Sequence, residues 1–208
     1  MLNIAVLVSG GGTNLGALID AQREGRLGGG RIRCVISSRP GAYALTRAKN
    51  AGIPAEVADR RAFDSGEAFD KALKALLKQY ETDIIVLAGF MSILGDELVG
   101  EYKNRIINVH PSLIPAFCGK GFYGLRVHEA ALDSGVKLSG ATVHFVNEVP
   151  DGGAIILQKA VEVKDGDTPE SLQKRIMEQA EWRILPEAVA LFCEGKIKIE
   201  NGKAIIIK

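Results

Sequence analysis

The chain has 208 residues, of which 47% are hydrophobic and 25% charged, and its net charge is +1. This composition predicts one globular domain over residues 1–208, and it disfavours duplex DNA or an anionic membrane as a partner. The three cysteines, Cys34, Cys118 and Cys193, are far apart and have no metal-ligand spacing, and the N-terminus lacks the features of a signal peptide, so we expect a cytoplasmic protein without a metal.

A short apolar strand and a glycine-rich loop open the chain. Residues 3–8 form a continuous apolar run, and three consecutive glycines, Gly10 to Gly12, follow before a helical pattern begins at Leu15. Backbone N–H groups that converge at a helix N-terminus favour an anion. Leu15 stands where a dinucleotide-binding motif needs its third glycine, and Ala17 stands where a P-loop needs its lysine. The loop therefore favours a monophosphate over NAD or ATP. A tight turn that binds nothing is the alternative.

Strands and helices then alternate as far as residue 109. The predicted elements are a strand at 31–37, a helix at 41–50, a weak strand at 54–58, a helix that opens at Ser65, a strand at 83–88, a short helix at 95–102 and a strand at 105–109. This order predicts a Rossmann-like α/β fold, with a mostly parallel sheet and helices on both faces. The apolar segment 89–94 is either core or the wall of a pocket for a flat ligand.

The strand at 105–109 ends in polar side chains. Asn108 and His110 are two residues apart, so they point to the same side of the strand, and Pro111 biases His110 toward extended geometry. In open α/β sheets, ligands bind at the carboxyl ends of the strands. The pair is either a structural hydrogen-bonding pair or part of an active site.

The second half predicts a long loop, an antiparallel pair and a helix. The loop 111–125 is rich in Pro, Gly and aromatic residues, and loops of this length are usually functional or mobile. His128 follows in a short helix, as a surface or packing residue. Strands at 141–146 and 154–158 flank a turn that contains Asp151. Thr168 begins a helix that is predicted to run to about residue 192, and an Asn-Gly hairpin ends the chain.

Asn108, His110 and Asp151 together suit acyl transfer to an amine. An amide donor polarises the carbonyl and stabilises the developing oxyanion. An imidazole can be neutral or protonated near neutral pH, so it can stabilise the oxyanion and move a proton. A carboxylate holds the imidazole in its charged form. The spacing alone leaves open whether Asp151 reaches the other two.

In these segments the chain resembles the folate-dependent phosphoribosylglycinamide formyltransferases of purine synthesis. The shared segments are SGGGTN at 9–14, LAGFM at 87–91, NVHPSL at 108–113, and VHFV at 143–146 followed by DGG at 151–153 and ILQ at 156–158. They occur in the same order and span nearly the whole chain, so the combination is specific although each segment alone is weak.

The resemblance implies a 10-formyltetrahydrofolate donor, a glycinamide ribonucleotide acceptor, no metal and direct attack by the amine. It implies a catalytic trio of Asn108, His110 and Asp151, and a ribonucleotide site in which Glu181 holds the ribose hydroxyls and the loop residues Gly11, Gly12, Thr13 and Asn14 hold the phosphate. The implied folate site comprises Gly66, Phe90, Met91, Ser92, Ile93, Leu94, Asn108, Val149, Pro150 and Asp151. Residues 1–103 would form the ribonucleotide half and 104–208 the catalytic and folate half, and a homodimer is compatible with the resemblance.

The chain departs from the family pattern at several positions. Many relatives carry arginine where Gly66 and Ser92 stand, and both positions can touch the folate, so the grip on the donor differs here. Ala154 replaces a frequent proline, and the loop 117–125 is longer than in many members.

Four other functions compete with this interpretation. Formyltetrahydrofolate hydrolases resemble the chain but carry an N-terminal regulatory domain and typically a histidine at the position of Pro111, and methionyl-tRNA formyltransferases carry a C-terminal RNA-binding domain. A nicotinamide oxidoreductase could use Arg39 for a 2′-phosphate, although the incomplete glycine motif counts against it. In a non-catalytic binding protein the trio would be coincidental.

Overall fold

The structure is a computed structural model that describes residues 1–207. Its strands are β1 (Asn3–Val8), β2 (Arg31–Ser37), β3 (Ala55–Val57), β4 (Ile84–Leu87), β5 (Ile106–His110), β6 (Leu138–Phe145), β7 (Ile155–Glu162), β8 (Ile197–Glu200) and β9 (Lys203–Ile206). Its helices are α1 (Thr13–Arg23), α2 (Tyr43–Asn50), α3 (Gly66–Gln79), α4 (Asp96–Glu101), α5 (Leu125–Asp133), α6 (Pro169–Ile176) and α7 (Trp182–Cys193). A 3₁₀ turn at Arg60–Ala62 and a π-helical turn at Met177–Glu181 complete the secondary structure.

Seven strands form one sheet in the order β3-β2-β1-β4-β5-β6-β7. The first five strands are parallel, whereas β6 runs antiparallel to β5, and β7 to β6. The predicted α/β architecture with an antiparallel pair is therefore confirmed. The chain moves outward from β1 to β3 and then returns to β4 on the other side of β1. This reversal opens a crevice at the carboxyl ends of β1 and β4, where open α/β sheets bind ligands.

The two faces of the sheet carry separate cores because alternate strand residues point to opposite sides. On one face, Ile4, Val6 and Val8 pack with residues of α1, α2, α5, α6 and α7. On the other face, Ala5 and Leu7 pack against α3 and α4. The fully buried α3 residues Phe69, Leu73 and Leu77 recur at helical spacing, and burial of each such side chain contributes about 2 kcal/mol.

The same alternation places polar residues of β5 and β6 on the face of α3 and α4. Ile107 and Val109 belong to the first core, as do Ala141, Val143 and Phe145 of β6. Asn108 and His110 therefore point to the opposite face, on one side of β5 as predicted, and they pair across the ladder with His144 and Thr142. The register of this antiparallel pair thus brings four polar side chains to one end of the sheet.

The prediction of one continuous helix from Thr168 to about residue 192 is wrong, because a π-helical turn separates α6 from α7. The Thr168 side chain caps α6 in a capping box with Ser171, as its sequence indicates. The helix then widens into the π-helical turn Met177–Glu181 before α7 begins. A π turn inserts extra backbone without breaking the helical path, so a helical hydrophobic pattern does not reveal it.

The C-terminal hairpin is confirmed, with β8 and β9 paired around Asn201 and Gly202. Within residues 1–207, every helix is too short or too polar to traverse a lipid bilayer.

Candidate active site

The glycine loop connects β1 to α1 and contacts α2. Gly12 has a φ of 69°, and a Cβ atom added to it would lie 2.6 Å from the Cβ of Ala44, so glycine is required there by conformation and by packing. Gly10 and Gly11 have no neighbour within 4 Å of such an atom and no positive φ. The fold itself does not demand glycine at these two positions. They leave the backbone open to close approach by a ligand.

Contacts with α2 fix the orientation of this loop. The Ala44 N–H donates to the Gly10 carbonyl at 3.1 Å, and the Arg47 Nε donates to the Gly11 carbonyl at 2.9 Å. Both loop carbonyl oxygens are therefore tied to α2. Arg47 also places a positive charge beside the loop, which adds to the partial charge at the N-terminus of α1.

A buried hydrogen bond joins the loop to the π-helical turn. The Asn14 Nδ2 donates to Glu181 Oε2 at 2.6 Å, and both side chains are more than nine-tenths buried. Burial raises the pKa of Glu181 to about 7, and the Asn14 bond opposes this effect in part. The Asn14 Oδ1 is buried and accepts no hydrogen bond within residues 1–207. A hydroxyl donor from a ligand would satisfy this oxygen.

His110 lies between two acceptors at the end of β5. Its Nε2 is 2.9 Å from the Phe117 carbonyl oxygen, and its Nδ1 is 3.6 Å from Asp151 Oδ2. A protonated imidazole carries N–H on both nitrogens, so this arrangement suits the imidazolium form. The His110 side chain is 6% exposed and that of Asp151 is 16% exposed, so water screens their attraction only weakly.

Asp151 is ionised at neutral pH. Burial works against the charged carboxylate, but the His144 ring, the Gly119 N–H and His110 outweigh it, so the pKa of Asp151 is lowered. The Gly119 N–H donates to Asp151 Oδ2 at 2.8 Å, and His144 Nε2 lies 3.6 Å from Asp151 Oδ1. The carboxylate thus faces two imidazoles and one backbone donor.

The turn that carries Asp151 is shaped by two glycines. A Cβ at Gly153 would lie 1.7 Å from the Phe145 carbonyl oxygen, and one at Gly152 would lie 2.7 Å from Val149. Asp151 itself has a φ of 56°, a left-handed conformation that aspartate tolerates better than most residues. The glycines let the chain fold back onto β6, and this brings Asp151 over the end of β5.

His144 is a site residue that the sequence analysis did not single out. It is directly opposite Asn108 in the ladder, and its Nε2 lies 3.1 Å from Asn108 Nδ2. Its Nδ1 is 2.7 Å from the Phe145 carbonyl oxygen, which holds the ring in place. Its Nε2 therefore contacts both the Asn108 amide and the Asp151 carboxylate, which lies 3.6 Å away. The sequence predicted a strand around His144, but it did not reveal that Asn108 is the residue opposite His144 in the ladder.

The long loop 111–125 lies over His110 and Asp151. The Phe117 carbonyl oxygen accepts a hydrogen bond from His110, and the Gly119 N–H donates one to Asp151. The base of the loop is anchored by Ser112, which is fully buried and donates to the Ala116 carbonyl, and by Thr142, which donates to the Ser112 carbonyl. This segment connects β5 to α5 without helix or strand, and these hydrogen bonds fix its base.

An open cleft of about 600 Å³ lies on the α3 and α4 side of the sheet. It is lined by four residues of the implied folate set, namely Gly66, Met91, Ser92 and Ile93. The Met91 N–H donates to Ser9 Oγ at 2.8 Å, so the cleft begins at the crevice between β1 and β4.

Other members of the implied folate set are not part of the cleft lining. Phe90 stacks on Phe69 with ring centroids 6.4 Å apart, and Leu94 is a core residue. Val149 is 60% exposed, and it lies with Pro150 in the turn that carries Asp151. A folate role for these residues stays a prediction.

His128 is a packing residue and not a surface residue, because it is completely buried. Burial, followed by the nearby charge of His110, lowers the pKa of His128 to about 4, so its ring is neutral. Among the described residues, no group of three or more His, Cys, Asp or Glu side chains is placed to hold a metal ion.

Residues 2–189 match the family model described as formyl transferase. The chain is 40% identical over 203 residues to a phosphoribosylglycinamide formyltransferase of Escherichia coli, covering 98% of this chain and 92% of that protein. Glycinamide ribonucleotide transformylase 1 from Symbiobacterium toebii is 47% identical, with a TM-score of 0.94 and coverage of 100% of this chain and 95% of that chain.

Some relatives are much longer than this chain. A trifunctional purine biosynthetic protein of Bos taurus is 44% identical over 201 residues, which is 96% of this chain but only 19% of that protein. The chain therefore spans about a fifth of the length of that relative.

Proposed function

Because the chain belongs to the formyl transferase family, we propose that it transfers the formyl group of 10-formyltetrahydrofolate to the amine of glycinamide ribonucleotide. The products are formylglycinamide ribonucleotide and tetrahydrofolate. The observation that carries this proposal is that Asn108, His110 and Asp151 meet at the end of β5, where Asp151 faces His110 and His144 contacts both Asn108 and Asp151. The three groups are the amide, imidazole and carboxylate that acyl transfer to an amine requires.

The proposed reaction is a direct transfer. The amine nitrogen attacks the formyl carbon, and a tetrahedral intermediate forms with negative charge on its oxygen. Asn108 and protonated His110 stabilise this oxyanion, and Asp151 holds His110 in its charged form. The bond from the carbon to the folate nitrogen then breaks, and the proton lost by the attacking amine is transferred to that nitrogen.

The acceptor is proposed to bind between the glycine loop and Glu181. Its phosphate would lie on the backbone of Gly11, Gly12 and Thr13, at the N-terminus of α1. The buried pair of Asn14 and Glu181 offers an acceptor oxygen and a carboxyl group to ribose hydroxyls. This position would direct the amine toward the end of β5.

The donor is proposed to bind in the cleft, with its formyl group toward Asn108. Residues of both chain halves contribute to this arrangement, because Met91 and Ser92 lie in 1–103 whereas the trio lies in 104–208. The cytoplasm is the proposed compartment, and the homodimer stays a prediction.

An assay of tetrahydrofolate formation with and without glycinamide ribonucleotide tests the function. We expect folate turnover only when the ribonucleotide is present, with formylglycinamide ribonucleotide formed in equal amount. Equal turnover without the acceptor would indicate a formyltetrahydrofolate hydrolase instead. No turnover under either condition would refute the enzymatic proposal.

A further inference from the structure

The segment ILQ at 156–158 has no part in the proposed reaction, although it is one of the segments that the chain shares with its family. Its last residue, Gln158, is exposed and lies on β7, which is an edge strand of the sheet. Gln158 is opposite Thr142 in the ladder of β6 and β7, and Thr142 is opposite His110 in the ladder of β5 and β6. The three side chains therefore form one row across the sheet, on the face that carries the catalytic groups.

The loop 111–125 folds back over this row and is attached to it at Ile114. The Ile114 N–H donates to Thr142 Oγ1 at 3.1 Å, and Gln158 Nε2 donates to the Ile114 carbonyl at 3.0 Å. Side chains of β6 and β7 thus satisfy both main-chain polar groups of this one loop residue.

Gln158 also completes the hydrogen bonds of Thr142. The Thr142 hydroxyl is part of a fully buried residue and donates to the Ser112 carbonyl at 2.7 Å. It accepts from the Ile114 N–H and, at 3.0 Å, from Gln158 Nε2, which uses its donor and both of its lone pairs. Water could hydrate the Ile114 carbonyl if the Gln158 amide were removed, but water would not tie the loop to β7.

The short segment from Ile114 to Phe117 is itself held in a turn. The Ala116 N–H donates to the Leu113 carbonyl at 3.0 Å, and Ser112 Oγ donates to the Ala116 carbonyl at 2.6 Å. The position of Ile114 on the row therefore determines the position of the Phe117 carbonyl.

The Phe117 carbonyl determines which nitrogen of His110 can act on a substrate. Its oxygen lies 2.9 Å from His110 Nε2, and a carbonyl oxygen can only accept, so Nε2 carries a proton in this arrangement. Nδ1 lies 3.6 Å from Asp151 Oδ2, which is longer than a hydrogen bond. Nδ1 is therefore the nitrogen that is left to face the reacting groups.

We propose that Gln158 is a positioning residue for the transfer reaction. Together with Thr142 it fixes the loop at Ile114, so that the Phe117 carbonyl holds the His110 ring by Nε2 and Nδ1–H is left to stabilise the oxyanion. The inference rests on the proposed function for the reaction itself. Gln158 acts through His110 and not by contact with a substrate, so its loss affects the rate more than it affects binding.

The first test replaces Gln158 by methionine, which removes the amide donor and keeps the length of the side chain. Glu162→Met is the matched control, because Glu162 lies on the same face of β7, is exposed, and has a side chain without a hydrogen bond or ion pair within residues 1–207. We expect Gln158→Met to lower kcat about tenfold and to change KM for either substrate less than about twofold. Glu162→Met should leave kcat and KM within about twofold of the wild type. Equal kcat in Gln158→Met and the wild type would overturn the proposal.

Further variants distinguish positioning from a general loss of structure, and melting temperatures establish that each is folded. Thr142→Val removes the hydroxyl that Ile114 and Gln158 share and should lower kcat, whereas Thr142→Ser keeps a hydroxyl and should recover most of the loss. In a His110→Ala background, Gln158→Met should lower the residual kcat by less than about twofold, because substitutions that act through the same group are not additive. A full additional loss in that background would show that Gln158 does not act through His110, and it would refute the proposal.

NMR of the imidazole nitrogens separates this inference from the proposed function. The chain has three histidines, so comparison with His110→Ala assigns the His110 ring. We expect Nε2 to be protonated in the wild type, and we expect Gln158→Met, but not Glu162→Met, to shift the His110 signals. If the wild type transfers formyl groups and Gln158→Met leaves these signals unchanged, the positioning proposal is wrong and the function stands. If the signals shift but the wild type transfers no formyl group, the function is wrong and the positioning of His110 stands.

Discussion

Replacing Asp151 by asparagine removes the charge beside His110 and keeps the shape of the side chain. The amide oxygen can still accept the Gly119 N–H, so the contact with the loop is preserved. The carboxylate oxygens lie 3.6 Å from His110 Nδ1 and from His144 Nε2. At this distance, and at an effective dielectric constant of about 20, one pair of unit charges attracts by about 5 kcal/mol.

Only the part of this attraction that acts in the transition state affects the rate. We expect kcat to fall by about 10²- to 10³-fold in Asp151→Asn, measured as tetrahydrofolate formation at saturating glycinamide ribonucleotide. Glu148→Gln is the matched control, because Glu148 lies in the same turn, is exposed and forms no hydrogen bond or ion pair in the described chain. A folded Asp151→Asn protein with kcat within threefold of the wild type would refute the role of this carboxylate.

The same substitution has an expected effect on stability. Because the pKa of Asp151 is lowered in the folded protein, its carboxylate stabilises the fold above the unfolded pKa, and this contribution is lost as the pH falls through the folded value. The melting temperature of Asp151→Asn should therefore lie below that of the wild type at neutral pH, and the gap should narrow in acid. A gap that widens in acid would contradict this account of the charge.

Three further predictions concern the acceptor side. Glycinamide ribonucleotide should raise the melting temperature of the wild type, and Asn14→Ala should abolish the increase; an unchanged increase would place the ribonucleotide elsewhere. Burial raises the pKa of Glu181 to about 7 in the folded protein. The contribution of Glu181 to the free energy of unfolding is therefore most favourable below the ordinary pKa of about 4.5, and it is lost as the pH rises to about 7. Glu181→Gln should remove about 3 kcal/mol of this pH dependence from the free energy of unfolding, and parallel wild-type and variant curves would contradict it. Gly12→Ala should destabilise the fold by at least about 1 kcal/mol in urea denaturation, because its Cβ would meet Ala44 at φ 69°, whereas Gly10→Ala should change it by less than about 0.5 kcal/mol; equal effects would refute the packing argument.

Much of the fold could be predicted because its signals are local. Apolar runs, glycines after strands and capping residues identified β1, β4 and β5, the start of α6 and the final hairpin. The side on which Asn108 and His110 lie followed from the period of a strand alone. The π-helical turn could not be predicted in this way, because it preserves a helical pattern and changes only which face Glu181 presents.

The parts of the site that could not be predicted from the sequence depend on contacts between distant segments. His144 became a site residue through the register of β5 and β6, which strand periodicity does not specify. Arg60 lines the cleft because a 3₁₀ turn, α3 and α4 meet there, and no motif connects these segments in the sequence. The resemblance to a family supplied the role of Asp151, and the structure supplied its distances to the two histidines.

The loop over His110 and Asp151 forms its hydrogen bonds to them through main-chain atoms, the Phe117 carbonyl and the Gly119 N–H. Point substitutions along such a loop leave the contacting atoms in place, so an alanine scan would under-report its importance. A deletion or insertion of one residue would move both atoms at once. In this chain we therefore expect changes in the length of the segment to cost more activity than substitutions of its side chains, and indel libraries are the form of mutagenesis that would reveal it.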